Sequence, residues 1–300
     1  MEAHPANLPA PAPSRAGLSL PGLGTGIGGG TVMLYLSIIV LLPLAAVVSE
    51  AFTGGIGHFW EQVTSPLAVK SLKLTVVCSL IVVVLNGFFG TILAWLLVRD
   101  NFPGKSLINA VIDLPFALPT IVASLILLTL YGNDSPLGIH LASTRAAVVV
   151  ALMFVTLPFV VRAVQPLLLE MDREMEAAAA SLGAGNFTIF RRIILPNLLP
   201  GLAAGVALAF ARALGEFGSV LLFAGGLADT TVTSVFIRNQ VESGNEVGAS
   251  AVSVVLLVAS LLLLACVSLI QRWAIRHDRS TSEFIPTLAK DVSGDGGGVG

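Results

Sequence analysis

Residues 174 to 196 read EMEAAAASLGAGNFTIFRRIILP, a polar helical stretch with a glycine stop, followed at fixed distance by Ile193, Leu195 and Pro196. From Met171 onward the apolar positions Met175, Ala178 and Leu182 recur at helical spacing, while Asp172, Arg173, Glu174 and Glu176 occupy the rest of the circumference. The pattern predicts a short amphipathic helix. Gly183 can end it by taking a positive φ without a Cβ clash, and Gly185 extends the freedom to turn. Small alanines let another surface approach, and Phe187, Ile189 and Ile193 are placed to anchor the returning chain. Periodicity alone suits equally well a helix lying at a membrane interface.

The rest of the chain is of a different kind. Of its 300 residues 55% are hydrophobic and 11% charged, with a mean hydropathy of +0.90, against roughly a quarter charged in soluble domains. A membrane-crossing helix needs about 20 mainly apolar residues. Six stretches qualify, near 32–52, 72–98, 107–131, 146–169, 198–224 and 250–273. The expected fold is therefore an all-α polytopic membrane protein of six transmembrane helices. Residues 31–278 form its membrane domain, with the polar loop helix near 172–185.

Residues 1–30, rich in Pro, Gly and Ala, are expected to be a disordered tail, and their single basic residue, Arg15, argues against a cleaved signal peptide. Residues 279–300, ending in KDVSGDGGGVG, are expected to be disordered as well. A net charge of -2 gives no concentrated basic face for nucleic acid. Cys78 and Cys266 have neither C-x-x-C spacing nor a His at ligand distance, so they read as small buried apolar residues and no metal site is expected.

An even helix count puts both termini on one side, and the basic residues choose which. With both ends cytoplasmic, Arg15, Arg99, Lys105, Arg173, Arg191, Arg192, Arg272, Arg276, Arg279 and Lys290 lie inside, against Lys70, Lys73, Arg145 and Arg238 outside. Ten against four favours that orientation and places the 174–196 loop in the cytoplasm. The external loops, near 53–70, 132–145 and 225–248, carry turn signals and leave little room for a folded domain, so ligand capture needs a separate protein.

Ionisable groups at bilayer depth are costly unless paired or wetted. Arg212 lies about 20 Å along the fifth segment and Glu216 one turn beyond, so the two can pair. The pair can fix helix packing, or Arg212 can offset an anion's charge in a pathway while Glu216 holds the guanidinium; both roles can hold at once. Gly215 and Gly218 permit close approach, and Ser219 adds a hydroxyl donor. In the third segment Pro115 and Pro119 predict a kinked or broken helix, tolerated at depth only against protein or water. Asp113, Ala117, Thr120 and Ser124 can share a small polar face there, serving packing or a pathway. Arg162, near the end of segment 4, can snorkel or meet Asp113.

Taken together, Gly183 with nine residues and then I-x-L-P, ARALGEFGSV at 211–220, LVRDNFPGK at 97–105, and NAVIDLPFALPTIVASL at 109–125 preceding FVTLPFVVRAVQP resemble the sulfate/thiosulfate ABC importer permeases of the T-subunit (CysT) type. The resemblance covers roughly 31–278. It departs from the usual E-A-A of the loop, which here reads Ala177, Ala178, Ala179 with the acid, Glu176, one residue early. The resemblance implies a type I ABC importer permease fold. It makes Glu176, Ala178, Ala179, Gly183, Ile193, Leu195 and Pro196 the residues that couple the chain to its ATPase. The polar residues at bilayer depth, Arg212, Glu216, Ser219, Asp113 and Thr120, are the candidates for a substrate pathway.

The implied partners are a second permease of W type, two ATP-binding subunits, an extracytoplasmic sulfate-binding protein and membrane lipid. The chain would hold no cofactor of its own, ATP and Mg residing on the ATPase, and its place is the cell inner membrane. A phosphate-cradling loop is not formed here: Gly104, Lys105 and Ser106 match the end of G-x-x-x-x-G-K-[ST], but Arg99 stands at its first glycine. No catalytic constellation is legible, so an enzyme is not expected. A molybdate or tungstate permease shares the ARALGEFG element and is the runner-up. A secondary anion transporter, which commonly shows internal repeats, is less favoured because the loop has no counterpart elsewhere in the chain.

Overall fold

The computed structural model describes residues 23–282, which are helical with no strand among them. The N-terminal unit, up to Val47, is a single apolar rod: α1 (Leu23–Leu36), a π-helical turn (Ser37–Leu41) and the start of α2 (Leu42–Ala51). It begins before the expected boundary at residue 30, because once the apolar run has nucleated a helix each added residue gains a hydrogen bond at small cost, even through glycines. The rest of the expected N-terminal tail, like residues 283–300 of the C-terminal one, lies outside the described residues.

The second unit contains α3 (Gly55–Thr64), α4 (Pro66–Arg99), α5 (Lys105–Ala117), α6 (Thr120–Tyr131), α7 (Arg145–Glu170), α8 (Arg173–Ser181) and α9 (Asn186–Ile189). A π-helical turn (Phe190–Ile194) leads into α10 (Leu195–Leu214), and α11 (Gly218–Leu221), α12 (Thr233–Glu242) and α13 (Glu246–Ser282) complete it. Five of the six expected crossings are continuous apolar helices, at Gly29–Ala51, Pro66–Arg99, Arg145–Glu170, Asn186–Leu214 and Glu246–Cys266.

The third crossing is the broken pair α5 and α6. Pro119 has no N–H and pushes Leu118 out of the helical region, to φ -85 and ψ 136. The fifth crossing is continuous but shorter than expected: it stops at Leu214 instead of running to residue 224, because Gly215 and Phe217 leave the helical ladder before α11 starts. The last helix runs to Ser282, past the expected boundary at 278.

The centre is a three-helix packing of α4, α7 and α10, brought close by small residues. A Cβ on Gly205 would lie 2.8 Å from Ala163 Cβ and 3.0 Å from Val160 Cα, and one on Gly90 would lie 3.0 Å from a Val160 methyl. Ala94, Val160, Val164, Leu198 and Leu214 fill one end of this core, and Val82, Leu127, Leu152, Val220 and Phe223 the other. Asn86, fully buried, donates to Met153 O at 3.1 Å and to Thr156 Oγ1 at 2.9 Å, so α4 and α7 are also joined by polar bonds inside the apolar layer.

Two segments expected to be loops carry helices instead. In α3, Phe59 and Val63 pack with Ala251; in α12, Phe236 packs with Ala68 and Val252. Their apolar residues have helical spacing over only ten residues each, too short to register as membrane segments. Cys78 is buried as expected, but Cys266 is exposed on the outer side of α13, where an apolar thiol needs only lipid as neighbour.

Candidate functional site

Two places carry chemistry that lipid packing does not require. At one end of the bundle, α8 follows a complete set of helix signals. Asp172 caps it by accepting from Glu174 N at 2.8 Å, and Glu174 and Glu176 occupy the first turn, where the helix dipole favours acids. At the other end Gly183 N donates to Ala180 O at 2.9 Å and Ala184 N to Ala179 O at 3.1 Å, with Gly183 at φ +85. This double bond around a left-handed residue is a Schellman stop. A Cβ on Gly183 would touch nothing within 4 Å, so backbone conformation alone demands glycine.

The helix turns two faces to different surroundings. Ala179 and Ala184 pack on the core beneath α8. Glu176 pairs with Arg99 at the end of α4, and the Arg99 guanidinium lies 5.2 Å from the Trp95 ring centre. Side chains of Arg99 and Glu176 are 10% and 22% exposed, so the loop is fastened to α4 by a largely shielded ion pair. The other face is bare: Met175, Leu182 and Phe187 are 46%, 88% and 75% exposed. Ala178 is exposed beside them.

Phe187 therefore does not anchor the returning chain. Ile189 and Ile194, both buried, do so, with Ile193 packed against the same cluster. Leu195 is half-buried and Pro196 exposed. Pro196 has no N–H for Arg192 O, and the ladder adjusts through the π turn, in which Leu195 N reaches Phe190 O. A groove of about 650 Å³ between Trp95, Glu176, Ala180, Phe187 and Phe190 completes this end.

The second place is the gap between α10 and α11. Glu216 is 1% exposed. Its Oε1 accepts from Ser219 N at 2.9 Å, capping α11, and its Oε2 lies 2.5 Å from Arg212 Nη1 as a charge contact off hydrogen-bonding geometry. The backbone oxygen of Glu216 accepts from Ser234 Oγ at 2.5 Å. The pair thus spans the helix break instead of sharing one continuous helix face. Arg212 alone of the two reaches the surface, with 35% of its side chain exposed. Ser219 is fully buried and its hydroxyl has no hydrogen-bond partner among the described residues.

The broken third crossing meets this gap. A Cβ on Gly218 would run into Thr120 Oγ1 and come within 2.9 Å of Ile121 N, so only glycine lets the start of α6 seat there. Ser124 Oγ accepts from Phe223 N at 2.9 Å and Leu222 N at 3.2 Å, tying α6 to the end of α11. Thr120, Arg212, Glu216 and Ser219 therefore converge.

Asp113 does not join them. It lies on the far side of the proline break, where Arg162 donates Nε to its Oδ1 at 2.8 Å and Nη2 to its Oδ2 at 2.6 Å. Arg162 Nη1 donates to Asn109 Oδ1 and Gln165 Oε1 at 3.2 and 2.5 Å, and Nη2 also to Asn109 O at 3.3 Å. The expected single polar face on segment 3 is thus divided: Asp113 belongs to an α5–α7 tie, while Thr120 and Ser124 face α11. The contacts of Arg99 at the loop and of Asn86 in the core are not legible in the sequence. Arg99 fell in a basic turn that charge counting explains without a contact, and Asn86 was a lone polar residue in an apolar run.

Residues 86–277 match the family described as binding-protein-dependent transport system inner membrane component. The chain is 40% identical over 253 residues to the sulfate transport system permease protein CysT of Synechocystis sp., covering 82% of this chain and 88% of the relative. It is 42% identical over 260 residues to the protein of the same name in Escherichia coli, covering 84% and 93%. Among solved structures, that of a bacterial alginate ABC transporter in complex with its alginate pentasaccharide-bound periplasmic protein superposes with a TM-score of 0.70 at 16% identity, covering 83% of this chain and 93% of the other. The MetNI methionine ABC transporter, in an inward-facing conformation, gives a TM-score of 0.53 at 22% identity, covering 70% and 99%.

Proposed function

Because this chain belongs to the family of binding-protein-dependent transport system inner membrane components, we propose that it is the T-type permease subunit of an ATP-driven sulfate importer. The observation that carries the reading is its 40–44% identity, over about four-fifths of its length, to sulfate permeases. It forms half of a pore in the cell inner membrane. A related permease of W type supplies the other half, two ATPase subunits hold ATP and Mg, and a binding protein delivers sulfate or thiosulfate from outside. Both termini face the cytoplasm, in keeping with the ten-to-four distribution of basic residues.

The geometry suits this division of labour. The bare apolar face of Met175, Leu182 and Phe187 seats in the ATPase subunit, and closure of the ATPase pushes α8 as a rigid piece because both its ends are capped. The push leaves α8 by two routes, the Glu176–Arg99 pair into α4 and the Ala179 and Ala184 contacts into the core. Helix α10 carries the motion to its break at Gly215. Arg212 there presents positive charge to an oxyanion, and buried Glu216 keeps the guanidinium in place without creating an over-deep anion trap. No bond is made or broken on this chain.

Deleting the gene tests the substrate. The expected result is a requirement for cysteine or another reduced sulfur source, with loss of labelled sulfate uptake and unaffected molybdate-dependent enzymes. Intact sulfate uptake beside a molybdate defect, in a strain with no second sulfate importer, would overturn it.

A further inference from the structure

We propose that the groove between the first turns of α4 and α7 binds an anionic glycerophospholipid. Lys70 and Lys73 project from α4 one turn apart, and Arg145 opens α7. With Asp229 they rim a groove of about 420 Å³ whose other walls are Leu74, Val77, Cys78, Ile81 and Val149 with Ala146. Asp229 is ion-paired to Lys70 and lies 4.0 Å from Arg145 Nη2. The hydrogen bond from Lys70 and its charge, with Arg145 adding to them, hold the Asp229 carboxyl below its usual range. Three cations against one carboxylate leave a surplus of two positive charges at the rim.

The floor decides the occupant. A free oxyanion needs donors around it and loses hydration against Val77 and Ile81 without return. A phospholipid offers both parts: a phosphate for the cations and an acyl chain for the floor. Val77 and Ile81 are 53% and 44% exposed, and a second apolar groove, with Phe89, Leu93, Val150 and Met153 in its walls, lies farther along the same two helices. The depth also fits. Helix α4 has 34 residues, about 51 Å at 1.5 Å each, so about 10 Å at each end extends past a hydrocarbon layer of about 30 Å. Lys70 and Lys73 lie within about 11 Å of the start of α4 and so reach headgroup level, where their ammonium groups can meet a lipid phosphate directly. The proposal requires only that the chain sit in a bilayer and is independent of which solute it carries.

Native mass spectrometry of the complete, detergent-solubilised permease complex tests it, with phosphatidylglycerol and cardiolipin titrated against phosphatidylethanolamine. The wild type is expected to retain anionic lipid preferentially. K70Q/K73Q/R145Q should lose that preference about tenfold, V77W/V149W should lose bound lipid with the cations intact, and D229N should strengthen retention, a gain that misfolding cannot imitate. Sodium sulfate, matched in ionic strength by sodium chloride, should compete no better than chloride. Wild-type lipid preference in the triple variant would overturn the proposal. So would selective displacement by sulfate, which would assign the rim to a solute oxyanion, or unchanged lipid retention in V77W/V149W.

Discussion

Burying a carboxylate to 1% exposure, as with Glu216, is costly unless a cation and hydrogen-bond donors face it. Arg212 Nη1 at 2.5 Å and Ser219 N at 2.9 Å do so. Arg212→Met preserves length and apolar bulk but strands Glu216, so it is expected to destabilise the protein by about 3 kcal/mol, the low end for breaking a buried pair because Arg212 is partly exposed. Thermal unfolding in detergent measures this. Arg212→Met with Glu216→Gln should recover most of the stability. If Arg212 also serves the anion, the double variant stays inactive in uptake; recovered uptake would reduce the pair to packing. Gly183 is constrained differently, by φ +85 with open space around it. Gly183→Asp is expected to cost about 1 kcal/mol in left-handed strain, with a smaller addition from an acid at the negative end of the helix. Substrate-stimulated ATPase activity of the assembled complex should fall, and normal stimulation would show that the end of α8 need not be fixed.

At the level of elements, the broken third crossing and the segment beyond the fifth are built against each other: the start of α6 is locked to α11 through Gly218 and Ser124. Gly218→Ala is expected to destabilise by about 1–3 kcal/mol, as overpacking does. Thr120→Ala in the same chain should restore only part of it, because Ile121 N still lies 2.9 Å from the added carbon. Full rescue, or no loss in the single variant, read from the melting temperature, would contradict the packing described. The proline break was legible, since Pro119 leaves its helix no alternative, and so was α8, whose cap, periodicity and glycine stop all lie within about a dozen residues. The break after Leu214 was not, because LGEFGSV is apolar enough to continue a helix and the contacts that seat the break come from α6, 98 and 99 residues away. Helices α3 and α12 escaped notice for a related reason: their apolar residues acquire meaning only against α4 and α13.

Over the whole molecule, most of the candidate site was predictable as residue types, and its grouping was not. Arg212, Glu216, Ser219 and Thr120 converge as one knot, whereas Asp113 is held by Arg162 on the other side of the proline break. Long-range pairings such as Arg99 with Glu176, 77 positions apart, depend on how α4 and the 171–192 loop finish at the same end of the bundle. The described residues combine a capped polar loop helix, a buried charge pair at a helix break and broad apolar exteriors, an arrangement in keeping with the coupling through α8 proposed above. The most direct measurement is ATP-driven uptake of labelled sulfate into proteoliposomes containing the complete complex, with either the native chain or Leu182→Glu, a change at a position 88% exposed and outside the core. Uptake by the native complex and its loss in the fully assembled variant is the predicted result; sulfate uptake that proceeds without ATP, or at the native rate with Leu182→Glu, would contradict it.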